Sequence, residues 1–460
     1  MRDKLEWGSP CIQLAPGNQV IGSEDCLFLN VWRPAKTSSA PLPVLVFLHG
    51  GSNVSGSSSD SWLGVKVYDG ERLAAAGSAV VVTINYRLAA MGFMAHPAFA
   101  GEAPPGAHSA GNYGLLDQIA ALEWVQHNIA AFGGDPTRVL LFGQSAGAFD
   151  TCDLLVSPLA AGLFSRAIMM SGGCSADVPE GAEWGAKKVA SRVGCDPVTG
   201  ACCDTADDVP ACMRAAPASE VTTALGYWQI GSGSVFGAVV DGWVVPDDPL
   251  LLLRAGNYNR VPLMVGTTSD EMSHFIWAYI DQEVKTPAQY KGKLHELYGY
   301  AWGEEVFAQY PVSGYGSPMR ALEAALGDEL FICQSRRAAL AAAQQQAEPV
   351  YRYVFAHAFA DHDLAPDGAD HGYDLFFAFD NLAGPKSKIH PTQAERELAT
   401  AMSRALVRFA ATGDPNGSGP TTWPEYTKAT HQHMVLDTPS SVSTADGAAA
   451  CAFWDALYGY

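Results

Sequence analysis

The sequence predicts an α/β protein: a mostly parallel central sheet, covered by helices on both faces, with insertions at its rim. Three observations carry this expectation. Runs of β-branched or apolar residues recur at Val44–Leu48, Ala79–Ile84, Val139–Phe142, Leu263–Val265 and Val350–Val354, and unalternating apolar runs are the pattern of strands buried on both faces. Between them, Gly114–Phe132 places Leu115, Ile119, Leu122, Val125 and Ile129 at spacings of three and four, the stripe of an amphipathic helix, and Gly133-Gly134 then stops it. Glycine, proline and serine punctuate the chain, densely at 51–61, 101–114 and 194–217, but nowhere at the length of a linker. Residues 1–460 are therefore expected to form one domain, with the cysteine-rich patch at 194–217 as an insertion near the sheet's rim.

Composition narrows the partners. Of the 460 residues, 48% are hydrophobic and 17% charged, enough for a large core. No run reaches the ~18 apolar residues of a membrane span. The 28 Lys and Arg against 48 Asp and Glu give a net charge of −20, which repels polyanions and argues against nucleic acid as a partner. Ten cysteines without paired C-x-x-C spacing point to disulfides rather than zinc. Met1–Trp7 has no apolar run of an export signal, so a secreted or periplasmic location is inferred from the cysteines alone. Oligomeric state is not legible.

The sharpest chemical signal is Val139–Gly147, a buried strand running into Gly143-Gln-Ser145-Ala-Gly147 and then a helical segment. A strand that turns abruptly into a helix strains the central serine and leaves no room for side chains two residues away, hence the glycines. Ser145 is the candidate nucleophile, and the helix that follows aims its N-terminal amides at the reacting centre. A second signal is Phe47-Leu-His49-Gly50-Gly51-Ser52, a glycine-rich turn after another strand. Its backbone N–H groups at Gly51 and Ser52, with that of Ala146, fit an oxyanion hole.

With these in place the chain resembles the type-B carboxylesterase family, the cholinesterase-like branch of the α/β hydrolases, along nearly its whole length. The resemblance rests on Ser23-Glu-Asp-Cys26-Leu-Phe-Leu-Asn30, His49-Gly-Gly51, Asn85-Tyr-Arg87, Gly111-Asn-Tyr-Gly-Leu-Leu-Asp117, Asn128 with Phe132-Gly-Gly-Asp-Pro136, and Gly143–Gly147. It implies an α/β-hydrolase fold and a cofactor-free serine carboxylesterase that takes small esters and water, with a triad in the order serine, acid, histidine. The segment Val265-Gly-Thr-Thr-Ser-Asp270-Glu271 is similar to the family's acid-bearing strand end, so Glu271 is the expected acid and Asp270 its competitor. Gly368-Ala-Asp-His371-Gly-Tyr-Asp374 resembles the family's histidine segment and marks His371 as the base. The resemblance also implies disulfides Cys11–Cys26, Cys195–Cys212 and Cys333–Cys451. Cys202 and Cys203 offer an alternative within the second loop, and Cys152 and Cys174 are expected as free core thiols.

The chain departs from the family in three places. The hairpin and Leu-Arg-Phe segment that relatives carry before Cys11 are not in the sequence as given, which leaves Glu24 to find another partner or face solvent. Ser52 replaces the third glycine of the oxyanion loop, and Gln144 stands where many relatives have glutamate. The short Cys11–Cys26 loop without an aromatic residue, together with Gln144, points to uncharged esters of short to medium apolar or aromatic groups rather than choline esters. Alternatives are a lipase-like or specialised aryl or polyester esterase, and a non-catalytic binding member of the same fold. No metal is expected: Asp361-His362-Asp363 and His431-Gln-His433 lack a recognisable ligand spacing.

Overall fold

Val44, Val46 and Leu48 face one apolar core while Leu45 and Phe47 face another. Alternate side chains leave opposite faces of a strand, so a run that is apolar at every position marks a strand covered on both sides. Each such side chain, fully buried, stabilises by about 1.5–3 kcal/mol.

The computed structural model describes residues 6–35, 40–104, 111–196, 203, 205, 208–226, 236–361, 368–417 and 422–460. Cys202, His362, Asp363 and parts of the patches at 101–114 and 194–217 lie outside the described residues.

Among the described residues the central sheet contains nine strands: β1 (Leu29–Trp32), β2 (Leu42–Leu48), β3 (Val80–Ile84), β4 (Gly134–Gln144), β5 (Arg166–Met170), β6 (Leu263–Thr268), β7 (Val350–Phe355), β8 (His433–Leu436) and β9 (Ser441–Ser443). Their order is β9-β8-β7-β6-β5-β4-β2-β3-β1. Every interior pairing is parallel, and the two edge pairings, β1 with β3 and β8 with β9, are antiparallel. All five expected strands are present. The expected helix appears as α1 (Tyr113–Asn128), followed by a tighter turn over Ile129–Phe132 that Gly133 closes at φ 85°. Arg87 and Asp117, both in motifs quoted above, are joined by two side-chain bonds of 2.8 and 2.7 Å.

Cys11–Cys26, Cys195–Cys212 and Cys333–Cys451 are disulfides, as expected. Cys152 and Cys174 are not free thiols: they form a fourth bridge, with Cα atoms 5.3 Å apart. Cys152 lies on helix α2 (Ala146–Val156), and the turn after β5 folds back beside it, a proximity that only the tertiary structure creates. Glu24 is exposed. His431 is engaged with Asp446 at 2.8 Å in a network with Arg336.

Candidate active site

The carboxyl ends of β2, β4 and β6 lead into the segments that carry Gly51, Ser145 and Glu271, the edge where parallel sheets bind ligands. Ser145 sits between β4 and α2 at φ 56° and ψ −126°, strain of about 1–3 kcal/mol that the surrounding structure must hold. A Cβ on Gly143 would come within 2.0 Å of the Gly147 carbonyl oxygen, and one on Gly147 within 2.2 Å of that of Leu48. The turn therefore tolerates only glycine at both places.

Glu271 follows β6 and is 1% exposed. One carboxylate oxygen accepts the Thr268 N–H at 2.8 Å and the other faces Nδ1 of His371 at 2.5 Å. The imidazole packs against both Phe275 and Phe331, with ring centroids 4.7 and 4.4 Å away. With Nδ1 on a carboxylate, the proton belongs on Nδ1 and the Nε2 lone pair points away from Glu271. Nε2 meets the amide nitrogen of Gln144 at 3.0 Å, and no hydrogen bond among the described residues joins it to Ser145. Asp270, the competing acid, turns elsewhere: it accepts the Ala369 N–H at 3.1 Å and the Ser269 hydroxyl at 2.6 Å, fixing the loop that carries His371. Asp374 is fully buried, accepts the Tyr353 hydroxyl at 2.8 Å, and is pushed up to about 7 by burial.

Gly51 has φ 114° and Ser52 φ 56°. The Gly51, Ser52 and Ala146 N–H groups have no hydrogen-bond acceptor among the described residues. The loop is anchored from behind by Tyr86, whose hydroxyl donates to the His49 carbonyl at 2.7 Å and whose ring stacks on the His49 imidazole.

Two cavities meet at Ser145. One, of about 530 Å³, lies on the His371 side and is walled by Leu14, Ile21, Trp62, Tyr68 and Leu375. The other, of about 310 Å³, lies on the Ala146 side among Phe149, Phe236, Phe275, Tyr279 and Phe331. Sequence reasoning missed Trp62, the phenylalanine pair around His371 and the contact between Gln144 and His371. The Ala146, Phe149, Asp150, Asp153 stripe along α2 was readable from its helical spacing and was not read.

A model of the carboxylesterase family matches residues 4–454. Curated relatives include the fumonisin B1 esterase of Sphingopyxis macrogoltabida, 33% identical over 97% of this chain and 79% of its own length. The para-nitrobenzyl esterase of Bacillus subtilis (strain 168) is 34% identical over 91% of this chain and 80% of its own length. The human cocaine esterase is 32% identical over 94% and 75%, respectively.

Proposed function

The chain belongs to the carboxylesterase family and is a carboxylic-ester hydrolase of α/β-hydrolase fold, and from that premise we propose that it works through an acyl-enzyme on Ser145. His371 is the general base and then the general acid, and Glu271 orients it. The observation that carries this reading is the 2.5 Å contact between Glu271 and Nδ1, which presents the Nε2 lone pair in the cavity that Ser145 also lines.

The chemistry follows from those groups. The Gln144 amide gives up Nε2, His371 takes the Ser145 proton, and the alkoxide attacks the ester carbonyl. The Gly51, Ser52 and Ala146 N–H groups, uncommitted within the protein, receive the oxyanion. Imidazolium, stabilised by Glu271, protonates the leaving alcohol, and water repeats the sequence on the acyl-enzyme. Because His371 must reach the leaving oxygen, the alcohol part occupies the cavity on its side and the acyl part the opposite one. The apolar walls of the first support an uncharged, apolar or aromatic alcohol. Two acids also line it and both are held: Asp60 by the Ser57 N–H at 3.1 Å and the Ser57 hydroxyl at 2.7 Å, and Asp370 by the Ser273 hydroxyl at 3.0 Å and the His274 N–H at 2.9 Å. The same reading takes residues 1–460 as one catalytic unit, since segments from 51 to 371 supply the site. The four disulfides among the described residues support an oxidising compartment, secreted or periplasmic.

The test is a panel of p-nitrophenyl esters of increasing acyl length with a serine-reactive phosphonate as inhibitor. A burst of p-nitrophenol and stoichiometric phosphonylation are expected. Turnover that survives complete phosphonylation would point to another mechanism.

A further inference from the structure

Helix α2 presents Ala146, Phe149, Asp150 and Asp153 along one stripe, and all four line the cavity on the acyl side of Ser145. Two of them are acids in a cavity that five aromatic rings, Phe149, Phe236, Phe275, Tyr279 and Phe331, share with small and polar residues. Asp150 is satisfied: it accepts the Asn53 amide at 2.8 Å and the Gln118 amide at 2.6 Å. Asp153 is not. It is 1% exposed, and neither carboxyl oxygen has a hydrogen-bond partner among the described residues. Leaving such a group unpaired is costly, so a buried carboxyl with two empty oxygens on a cavity wall asks what it meets there.

The surroundings narrow the answer. Asp177 lines the same cavity, while no lysine, arginine or histidine is among the described residues of its wall. The charges that bear on Asp153 are those of Asp150, Asp177, Asp248 and Asp241, all negative. A cation or a proton at Asp153 offsets that repulsion. Among the described residues no three histidine, cysteine or acidic side chains gather closely enough to hold a metal ion, so a ligand that takes the proton's place at Asp153 is an organic cation.

We propose that the acyl cavity recognises a protonated amine carried by the acyl chain, with Asp153 as its anionic partner at the far end. The inference rests on the Ser145 reading above and confines the uncharged class to the alcohol side. Asp153 lies eight steps along the helix from Ser145, a rise of about 12 Å, a span suited to a chain of about six atoms beyond the reacting carbonyl. Phe149, Phe275 and Phe331 flank the methylenes. A primary ammonium brings three donors to oxygens that have none. Burial pushes Asp150 up to about 7 and Asp153 well above the ordinary carboxylate range, so the empty cavity holds protons where a bound ammonium would replace them.

The experiment compares kcat/KM for p-nitrophenyl 6-aminohexanoate with that for its carbon isostere, p-nitrophenyl heptanoate, and for p-nitrophenyl 6-hydroxyhexanoate, using the whole chain. The amine is expected to lead the isostere by about tenfold or more, as a charge-assisted hydrogen bond in a dry cavity provides, and Asp153→Asn should bring the ratio to about one. If that variant does not fold, the wild-type ratio decides. Equal rates for amine and isostere, or a lead by the hydroxyl ester, overturn the amine subsite while leaving Ser145 as nucleophile intact. Failure to hydrolyse any of the three would overturn both.

Discussion

The amide nitrogen of Gln144 lies 3.0 Å from Nε2 of His371, on the ring edge opposite the Nδ1 that Glu271 holds. In this arrangement Gln144 donates to the lone pair that Ser145 needs, so the imidazole is held in place and its Nε2 is capped. Glutamine can do this at no cost in charge, whereas a glutamate in its place would favour imidazolium. Gln144→Glu is therefore expected to move the acid limb of the kcat/KM profile upward by about one pH unit with little change in KM. Gln144→Met, which removes the donor without adding charge, should move the limb upward by less than Gln144→Glu does. A Gln144→Glu profile that overlays the wild type would show that the contact has no part in the reaction.

Asp374 gives a pH dependence of stability that equilibrium unfolding reads. Burial raises its folded-state pKa to about 7 from the ordinary 3.8. A raised carboxyl means that the native state binds the proton more tightly than the unfolded chain does. Its contribution is thus complete below pH 3.8 and is lost as pH rises through about 7. Integrated over that window, the loss is on the order of 4 kcal/mol at most. Asp374→Asn keeps an acceptor for the Tyr353 hydroxyl and cannot ionise. Urea unfolding at pH 5 and pH 8 should show a smaller drop in stability for the variant than for the wild type. An equal drop would assign the loss to other groups.

The Cys152–Cys174 bridge closes a loop of 22 residues, a constraint on the unfolded chain worth about 3 kcal/mol. It also ties α2, which carries the nucleophile's flank and the acid stripe, to the turn after β5. Cys152→Ala with Cys174→Ala should lower the free energy of unfolding by about that amount under non-reducing conditions. Unchanged stability would mean that packing alone holds the two segments together.

How much of this was legible beforehand follows from the distance over which each signal acts. The strands β2, β3, β4, β6 and β7 announce themselves because burial on both faces fills a short run with β-branched, aliphatic and aromatic residues, with few polar interruptions such as Thr83 and Arg352. Strand β5 reads Arg-Ala-Ile-Met-Met and β1 Leu-Asn-Val-Trp, compositions too mixed to separate from a helix turn, and both were missed. Ser145 was readable because its steric demands fall on residues two positions away. Glu271 and His371 came from the resemblance, since no local rule brings together side chains 100 residues apart. Contacts that depend on how segments pack, such as Phe275 and Phe331 against His371, Trp62 in the alcohol cavity or Cys152 against Cys174, leave no trace in spacing.

Ser145→Ala tests the central claim most directly, by steady-state hydrolysis of a p-nitrophenyl ester with circular dichroism to confirm the fold. Removing a nucleophile of this kind lowers kcat by about 10⁴ to 10⁶, and that loss is expected with an unchanged spectrum. A folded Ser145→Ala protein that retains more than about a tenth of wild-type turnover, a loss far smaller than any nucleophile deletion gives, would contradict the account.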